Sequence, residues 1–283
     1  MSIGNLESIY RYPVKSMSGE SLNSVTLNAN GIPGDRAWAA RDEVQGGIRG
    51  AKKFPGLMRM NARYASQPAD SGSSPAQITL PNGAKAGTGD VDINEKLSSA
   101  LEHSVTLWPL MPEDALDHYR RGPSSHDDME TELRTIFGRT PDEPLPDLSV
   151  FPKELVEFES PLGTYFDAFP LTLMTTQSLN TMQQRAPESN FDVRRFRPNL
   201  LINSSSSSPF PELEWIGKTI TIGEAVIDIT LQCPRCSMTT HGFDDLPKDP
   251  TIMRALVREA EGNLGVYATV RQPGKIEIGD KLR

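Results

Sequence analysis

The sequence predicts an α+β protein, mainly β, in two halves over residues 1–110 and 151–283, joined by a connection over 111–150. Three observations carry this expectation. Short β-branched runs recur through both halves with Gly, Pro and Asn between them. Helical periodicity is confined to a few stretches. From Pro109 to Pro152 the chain changes character and becomes rich in Pro, Asp and Glu. With 283 residues, 37% of them hydrophobic, there is material for one large or two modest domains with real cores.

Ile3, Ile9, Tyr10, Tyr12 and Val14 give a first strand over residues 3–14, which Pro13 brings to an end. Lys15, Ser16, Ser18 and Gly19 follow as a polar loop. It reads first as an ordinary turn, although a cation beside hydroxyls and free N–H groups also suits a phosphate. Leu22–Leu27 alternates as a second strand. The turn cluster Asn30–Asp35 leads to a third strand starting at Arg36, where the bland reading is a surface charge. Residues 67–75 are a solvated loop, and Ile78–Leu80 is a strand before the turn Pro81-Asn82-Gly83. Asp92 is placed to cap a helix whose stripe is Leu97, Ala100 and Leu101, with Glu95 at the capping-box position. Val105–Trp108 closes a half that is a β-rich barrel or sandwich.

In the connection one helix is expected over about Asp127–Phe137, and Asp127, Asp128 and Glu130 are a solvated face. Pro141, Pro144 and Pro146 then break the chain. The second half opens with strand-like Gly163–Asp167 and Phe169–Met174. Thr175, Thr176, Gln177 and Ser178 lead into a helix over Leu179–Ala186. A hydroxyl-rich helix start serves as a cap and also as an anion site. Arg194, Arg195 and Arg197 fall within four positions of an acidic protein. If the segment is extended, as Pro198 favours, Arg197 and Asn199 share a side. After the serine run 204–208, Thr219–Thr230 reads as a hairpin about Gly223-Glu224, with Val226, Asp228 and Thr230 alternating against Ile227, Ile229 and Leu231. A helix over Asp249–Glu261 and two closing strands complete the chain.

Both cysteines of the protein, Cys233 and Cys236, lie just past that hairpin, on a loop presented by a sheet end. Four readings of Cys-Pro-Arg-Cys are open. Zinc needs two further ligands, and His103, His118, His126 and His241 are not at paired spacing. A dithiol couple has the right spacing, but no helical run follows to lower a thiol pKa. A single thiolate could hold a soft metal while Arg235 balances an anionic cofactor. On spacing alone, two reduced and buried thiols are the plainest reading.

Six blocks add to this: Tyr12–Ser16 (YPVKS) with Ser18-Gly19, Gly34–Trp38 (GDRAW), Leu173–Ser178 (LMTTQS), Arg195–Ile202 (RFRPNLLI), Cys236–Thr240 (CSMTT) and Gly274–Asp280 (GKIEIGD). In this order they resemble the MOSC superfamily, named for the molybdenum cofactor sulfurase C-terminal domain. The likeness is to its two-domain type, which includes the mitochondrial amidoxime-reducing component and its bacterial relatives. The resemblance implies an N-terminal β-barrel domain over 1–110 and a MOSC β-barrel domain with peripheral helices over 151–283. It implies a molybdenum cofactor in the cleft between them, with Cys236 as metal ligand and catalytic centre. Lys15, Ser16, Arg36, Thr175, Thr176, Arg197, Asn199, Arg235 and Tyr267 would hold the pterin and its phosphate. At superfamily level it also brings pyridoxal phosphate binding. The implied chemistry is reduction of hydroxylamines, amidoximes and N-hydroxylated base analogues, with electrons from a ferredoxin or flavoprotein, since the four cysteines of the ferredoxin domain in larger relatives are absent here. The alternatives are a cofactor or sulfur carrier using a Cys236 persulfide and a Cys-x-x-Cys dithiol oxidoreductase.

A net charge of −8 argues against nucleic acid as a partner and makes clustered arginines informative. No apolar run reaches membrane-spanning length, and Met1–Leu6 lacks the basic start and apolar core of a signal peptide. A cytoplasmic protein with reduced thiols, no membrane partner and a small-molecule substrate is expected.

Overall fold

The computed structural model describes residues 2–283. In chain order the strands and helices are β1 (Gly4–Arg11), β2 (Glu20–Leu22), β3 (Ser24–Leu27), β4 (Trp38–Asp42), β5 (Asn61–Arg63), β6 (Gln77–Thr79), β7 (Lys85–Gly87), α1 (Ile93–Leu101), β8 (Val105–Pro109), α2 (Leu116–Tyr119), α3 (Met129–Phe137), α4 (Glu154–Glu157), β9 (Leu171–Thr175), α5 (Thr176–Arg185), β10 (Leu200–Ser204), β11 (Thr219–Ile222), β12 (Ala225–Pro234), α6 (Thr251–Ala260), β13 (Asn263–Gln272), β14 (Gly274–Glu277) and β15 (Lys281–Leu282). The protein is mainly β, as the patterning predicts. Among the described residues no helix is long and apolar enough to cross a membrane.

Seven strands close into a barrel in the order β10, β9, β13, β12, β11, β15, β1, with β1 returning to pair with β10 and β2 appended. The hairpin expected at Gly223-Glu224 is its most legible part. Ile222 pairs with Ala225 across a two-residue turn, and Gly223 has φ +55°. Along β12, Ala225, Ile227 and Ile229 are buried while Val226, Asp228 and Thr230 are less so, the period-2 alternation of a strand with one face in a core. Leu6, Ile9, Leu173, Ile202, Ile220 and Val266 fill the same interior, so the barrel is a packed core and its chemistry must lie at an end.

The first strand belongs to this barrel, pairing through Leu6 with Ile202 and through Gly4 with Leu282. Likewise β3 pairs with β14, so sheets join residues 1–110 to residues 151–283. The rest of the first half is the β4/β8 pair and the three strands β5–β6–β7 around Val14, Met17, Leu57, Ile78 and Leu97. Met238, Phe243 and Leu246, from the loop that follows Cys236, complete that core, and Cys236 packs against it. The cysteine loop is the joint between the halves.

Several local expectations change. The strand expected at Arg36 starts at Trp38, because Arg36 sits at φ +47° and leaves the extended region. Asp92 makes no side-chain cap bond and pairs instead with Lys96 at 2.9 Å. Residues 163–167 are irregular, with a turn at Gly163 and a bend at Asp167, and form no strand. The connection carries two helices. Asp128 is not merely solvated but caps α3 by accepting from Thr131 N at 2.8 Å, whereas Glu130 stays exposed beside Arg134.

Candidate functional site

β12 runs to Pro234 and hands the chain to a 3₁₀ turn at Ser237–Thr240, which leaves Cys236 half-buried at the joint. The fully buried Arg195 fixes this loop. Its guanidinium donates to four carbonyls: Asn190 at 3.1 Å, Thr239 at 3.3 Å, His241 at 3.0 Å and Pro247 at 2.8 Å. The buried Arg235 donates from Nε to Leu264 O at 2.7 Å and from Nη1 to Phe196 O at 2.9 Å, while its Nη2 has no partner. Beside that nitrogen, Gly265 has φ +78°, and a Cβ there would lie 2.5 Å from Leu173 O and 3.2 Å from Arg235 Nη2. Gly265→Ala is therefore expected to cost at least about 2 kcal/mol, from backbone strain and from displacement of β9. Chemical denaturation would measure it, and an unchanged midpoint would contradict this account.

A second cationic group gathers on Tyr12. Arg36 and Arg197 lie over its ring with guanidinium carbons 4.6 Å and 4.2 Å from the centroid. Arg36 pairs with Asp35 and donates to Asn199 Oδ1 at 3.2 Å and Arg197 O at 3.3 Å. Asn199 returns a bond from Nδ2 to Asp35 Oδ2 at 3.0 Å. Arg197 donates to Met17 O, and burial followed by Arg36 pushes its pKa down to about 10, so it stays charged at neutral pH. Ser16, Arg36 and Arg197 are three of the six non-glycine residues with positive φ among the described residues. Backbone strain gathers where a fold holds functional groups in place, and half of it falls on residues selected from the sequence.

These groups meet in a cleft of about 80 Å³ lined by Arg36, Arg197, Arg235, Cys233, Cys236 and Tyr267, together with Asp167, Phe169 and Thr172. A neighbouring cavity of about 220 Å³, beside Ser18, Gly19 and Asn61, shares Arg197 and opens along Tyr12. Lys15 approaches through Asp167, donating to its Oδ1 at 2.9 Å and to Tyr165 O at 2.7 Å. Partial desolvation works against the Asp167 charge, but Lys15 and Lys52 hold its carboxyl below the usual carboxylate range. Its side chain is 63% exposed, so solvent screens part of that pull. Burial pushes the Lys15 ammonium down, and Asp167 offsets part of it.

Not every expected residue arrives. Ser16 Oγ is used by the chain itself, accepting from Ala51 N at 2.9 Å. Asn199 braces Arg36 from below rather than lining the cleft. Thr175 is fully buried, donating to Glu212 Oε2 at 2.7 Å and capping α5 through Ser178 N. Thr176 bonds Gln177. The start of α5 already faces a carboxylate of this protein, Glu212, and Thr172, three residues earlier on β9, is the threonine that reaches the cleft.

The sequence reading missed Asp167, Lys52 and Arg139. Lys52 and the buried Arg139 both lie within electrostatic reach of the Cys236 sulfur. Arg139 bonds Phe137 O at 3.0 Å and approaches Gly262 O at 3.5 Å. Only the lysine pair 52–53 and the acid within the aromatic run Tyr165–Phe169 were visible signals. Cys233 differs from Cys236. It is 3% exposed and packs against Tyr267, and burial pushes its pKa up, a poor setting for a dithiol couple. Both cysteines are free. Among the described residues, no three His, Cys, Asp or Glu side chains gather as the zinc reading requires.

Comparison with known proteins gives two family-model matches, a MOSC N-terminal beta barrel domain over residues 3–109 and a MOSC domain over residues 163–283. Human mitochondrial amidoxime reducing component 2 is 28% identical over 131 residues, 42% of this chain and 38% of its own length. A molybdenum cofactor sulfurase of Oryza sativa subsp. japonica is 28% identical over 282 residues, 92% of this chain and 31% of its own length. The chain thus spans well under half the length of these curated relatives. Among solved structures, the YUAD protein of Bacillus subtilis aligns over 99% of this chain and 93% of its own, at 12% identity and a TM-score of 0.43.

Proposed function

We propose a molybdenum-cofactor function from one premise: the chain belongs to the MOSC domain superfamily, with the MOSC N-terminal β-barrel domain followed by the MOSC domain. In this reading Cys236 is the protein's ligand to molybdenum, and the protein is a cytoplasmic reductase of N-hydroxylated compounds that draws electrons from a ferredoxin or flavoprotein. One observation carries it. Cys236 is the only one of the two free thiols with appreciable exposure, and it shares a cleft with four arginines, Arg36, Arg195, Arg197 and Arg235, the last of which keeps a buried N–H₂ unpartnered. A soft thiolate with cations around it suits a metal carried on an anionic group.

The residues fit the cofactor in chemistry. In space, about 80 Å³ is less than a pterin needs, so occupancy requires Asp167 and its turn to yield or the group to extend past Arg197 towards the larger cavity. The bound cofactor would supply a two-electron centre. Arg36, Arg197 and Arg235 balance anionic charge and hold it in register, with Lys15 behind Asp167. Asp167, kept ionised, accepts a hydrogen bond from a substrate N–H. Met238 and Phe196 border the cleft and limit water at the thiol. Reduction of a hydroxylamine to an amine breaks one N–O bond and consumes two electrons and two protons: the hydroxyl takes one proton and leaves as water, and the nitrogen takes the other.

Protein made in a molybdate-supplied host able to make the cofactor is expected to carry near-stoichiometric molybdenum and pterin and to reduce a hydroxylamine with an added donor. Well-folded protein from that host with neither molybdenum nor pterin would overturn the reading. A second reading, sulfur carriage on a Cys236 persulfide, is favoured by the breadth of the match to the rice sulfurase, 92% of this chain. Mass spectrometry showing one added sulfur on Cys236 in metal-free protein would select it.

A further inference from the structure

Residues 110–162, the connection between the two family-matched ranges, carry α3. This helix buries none of its side chains fully, so its two ends hold it. Before its start, Arg49 donates to Pro123 O at 2.7 Å and Lys53 to Ser125 Oγ at 3.1 Å, and Glu132 Oε2 accepts from Ser125 N at 3.0 Å. Past its end, Arg254 pairs with Glu143 and donates to Gly138 O. That end also meets the chain on both sides of Cys236. Gly138 has φ +60°, and a Cβ there would stand 3.6 Å from Ser237 Cα, so α3 stops against the residue that follows the thiol. Arg139 reaches the residue that precedes it through Gly262. Its Nη2 lies 3.5 Å from Gly262 O, the carbonyl that accepts from Arg235 N at 2.8 Å. Gly262 has φ +77°, and a Cβ there would lie 2.8 Å from Arg139 Cζ, so the guanidinium needs a glycine at that place.

Stability does not account for Arg139. It is 7% exposed and its Nε has no partner, and burying a guanidinium with a donor left unpaired is unfavourable. What the arginine does touch is the chain around the thiol. We propose that Arg139 is a positioning residue of the site: with Gly138 it clamps Arg235 and Ser237, and so fixes where Cys236 presents its sulfur. Neither family-matched range contains residues 138 and 139, so the clamp is built by the connection and not by either domain. The placement of the loop stands apart from any cofactor, and only its effect on metal retention rests on the molybdenum reading.

The test labels metal-free protein with N-ethylmaleimide at neutral pH and reads the two thiols by mass spectrometry, since trypsin cleaves after Arg235 and parts Cys233 from Cys236. Arg139→Met is expected to label about tenfold faster than wild type at Cys236, because local opening of the loop becomes easier. Losing a nearby cation would by itself slow labelling, since the thiolate is the reacting form, so a rise reads position and not charge. Ile220→Val, in the barrel interior, loses stability away from the loop and should label like wild type. Arg139→Lys, which keeps the charge without the planar fork, serves if the methionine variant does not fold. In molybdenum-loaded protein, elemental analysis after dialysis is expected to show the metal held about tenfold less tightly by Arg139→Met, the size of a lost outer-shell partner. Unchanged labelling, an equal rise in Ile220→Val, or full metal retention in loaded Arg139→Met overturns the assignment. If wild type carries no molybdenum, the cofactor reading fails, and the labelling rates still decide the clamp.

Discussion

Cys236→Ser protein, produced beside wild type in a molybdate-supplied host, is expected to fold and to contain almost no molybdenum. Serine is close to cysteine in shape, and the side chain is half-buried at the margin of a core cluster, so the stability change should stay within about 1 kcal/mol. Its hydroxyl is a hard, protonated and weak ligand where a soft thiolate is required. Loss of an outer-shell partner alone costs about 10–100-fold in metal affinity, and loss of the ligand itself should exceed that. Elemental analysis with circular dichroism decides it, and wild-type metal content in folded Cys236→Ser would sink the assignment. Cys233→Ser is the control. Its thiol is buried among Ala168, Tyr267 and Leu231, so the variant should lose about 1–2 kcal/mol of stability from burying a hydroxyl and keep its metal. Equal damage from both substitutions would instead revive the dithiol reading.

Arg195→Met is expected to lower the melting temperature by about 6–12 °C, from about 3 kcal/mol at 2–4 °C per kcal/mol in a chain of this size. Arg195 is 1% exposed and bonds to carbonyls in four separate places. Methionine fills much of the volume but leaves acceptors at Thr239, His241 and Pro247 without a donor, in a place water reaches poorly. Arg195→Lys keeps a charge but lacks the planar fork, and should recover only part of the loss. Scanning calorimetry reads the effect. A shift below about 2 °C would mean that the loop after Cys236 is held by its apolar contacts alone.

What was legible in the sequence follows physical range. The hairpin at Gly223-Glu224 and the α1 stripe through Leu97 are written in residues within ten positions of one another, and both appear as expected. The partners of β1 are not encoded in its own alternation, since Leu6 and Ile9 specify a buried face but not whose face covers them. At the site, the cluster Arg194, Arg195 and Arg197 in an acidic protein draws attention to Arg197, and the neighbouring Cys236 draws it to Arg235, whereas Arg36 reads as a surface charge until the family resemblance points to it. Thr175 is turned inward because Glu212, far along the chain, accepts from its hydroxyl and from that of Ser178 at the start of α5, while Thr176 bonds Gln177. Asp167, Lys52 and Arg139 escaped because each reaches the site from an irregular segment whose course no local pattern predicts.

The seam where β1 meets β10 and β15 bears on how the chain is made. Residue 4 waits for residue 282 before that edge of the barrel is sealed. During synthesis β1 emerges with an apolar face and an open edge long before its partners exist, a state prone to wrong pairing. Contacts between such distant positions also slow the final step of folding. Because Tyr12 directly follows β1 and Arg197 lies just before β10, while the Arg36 turn docks back on Tyr12 by donating from Arg36 N to Tyr12 O at 2.7 Å, the cationic cradle on Tyr12 is assembled when β1 pairs with β10. A cofactor that needs this cradle would be taken up only after β10 has been made and has paired with β1.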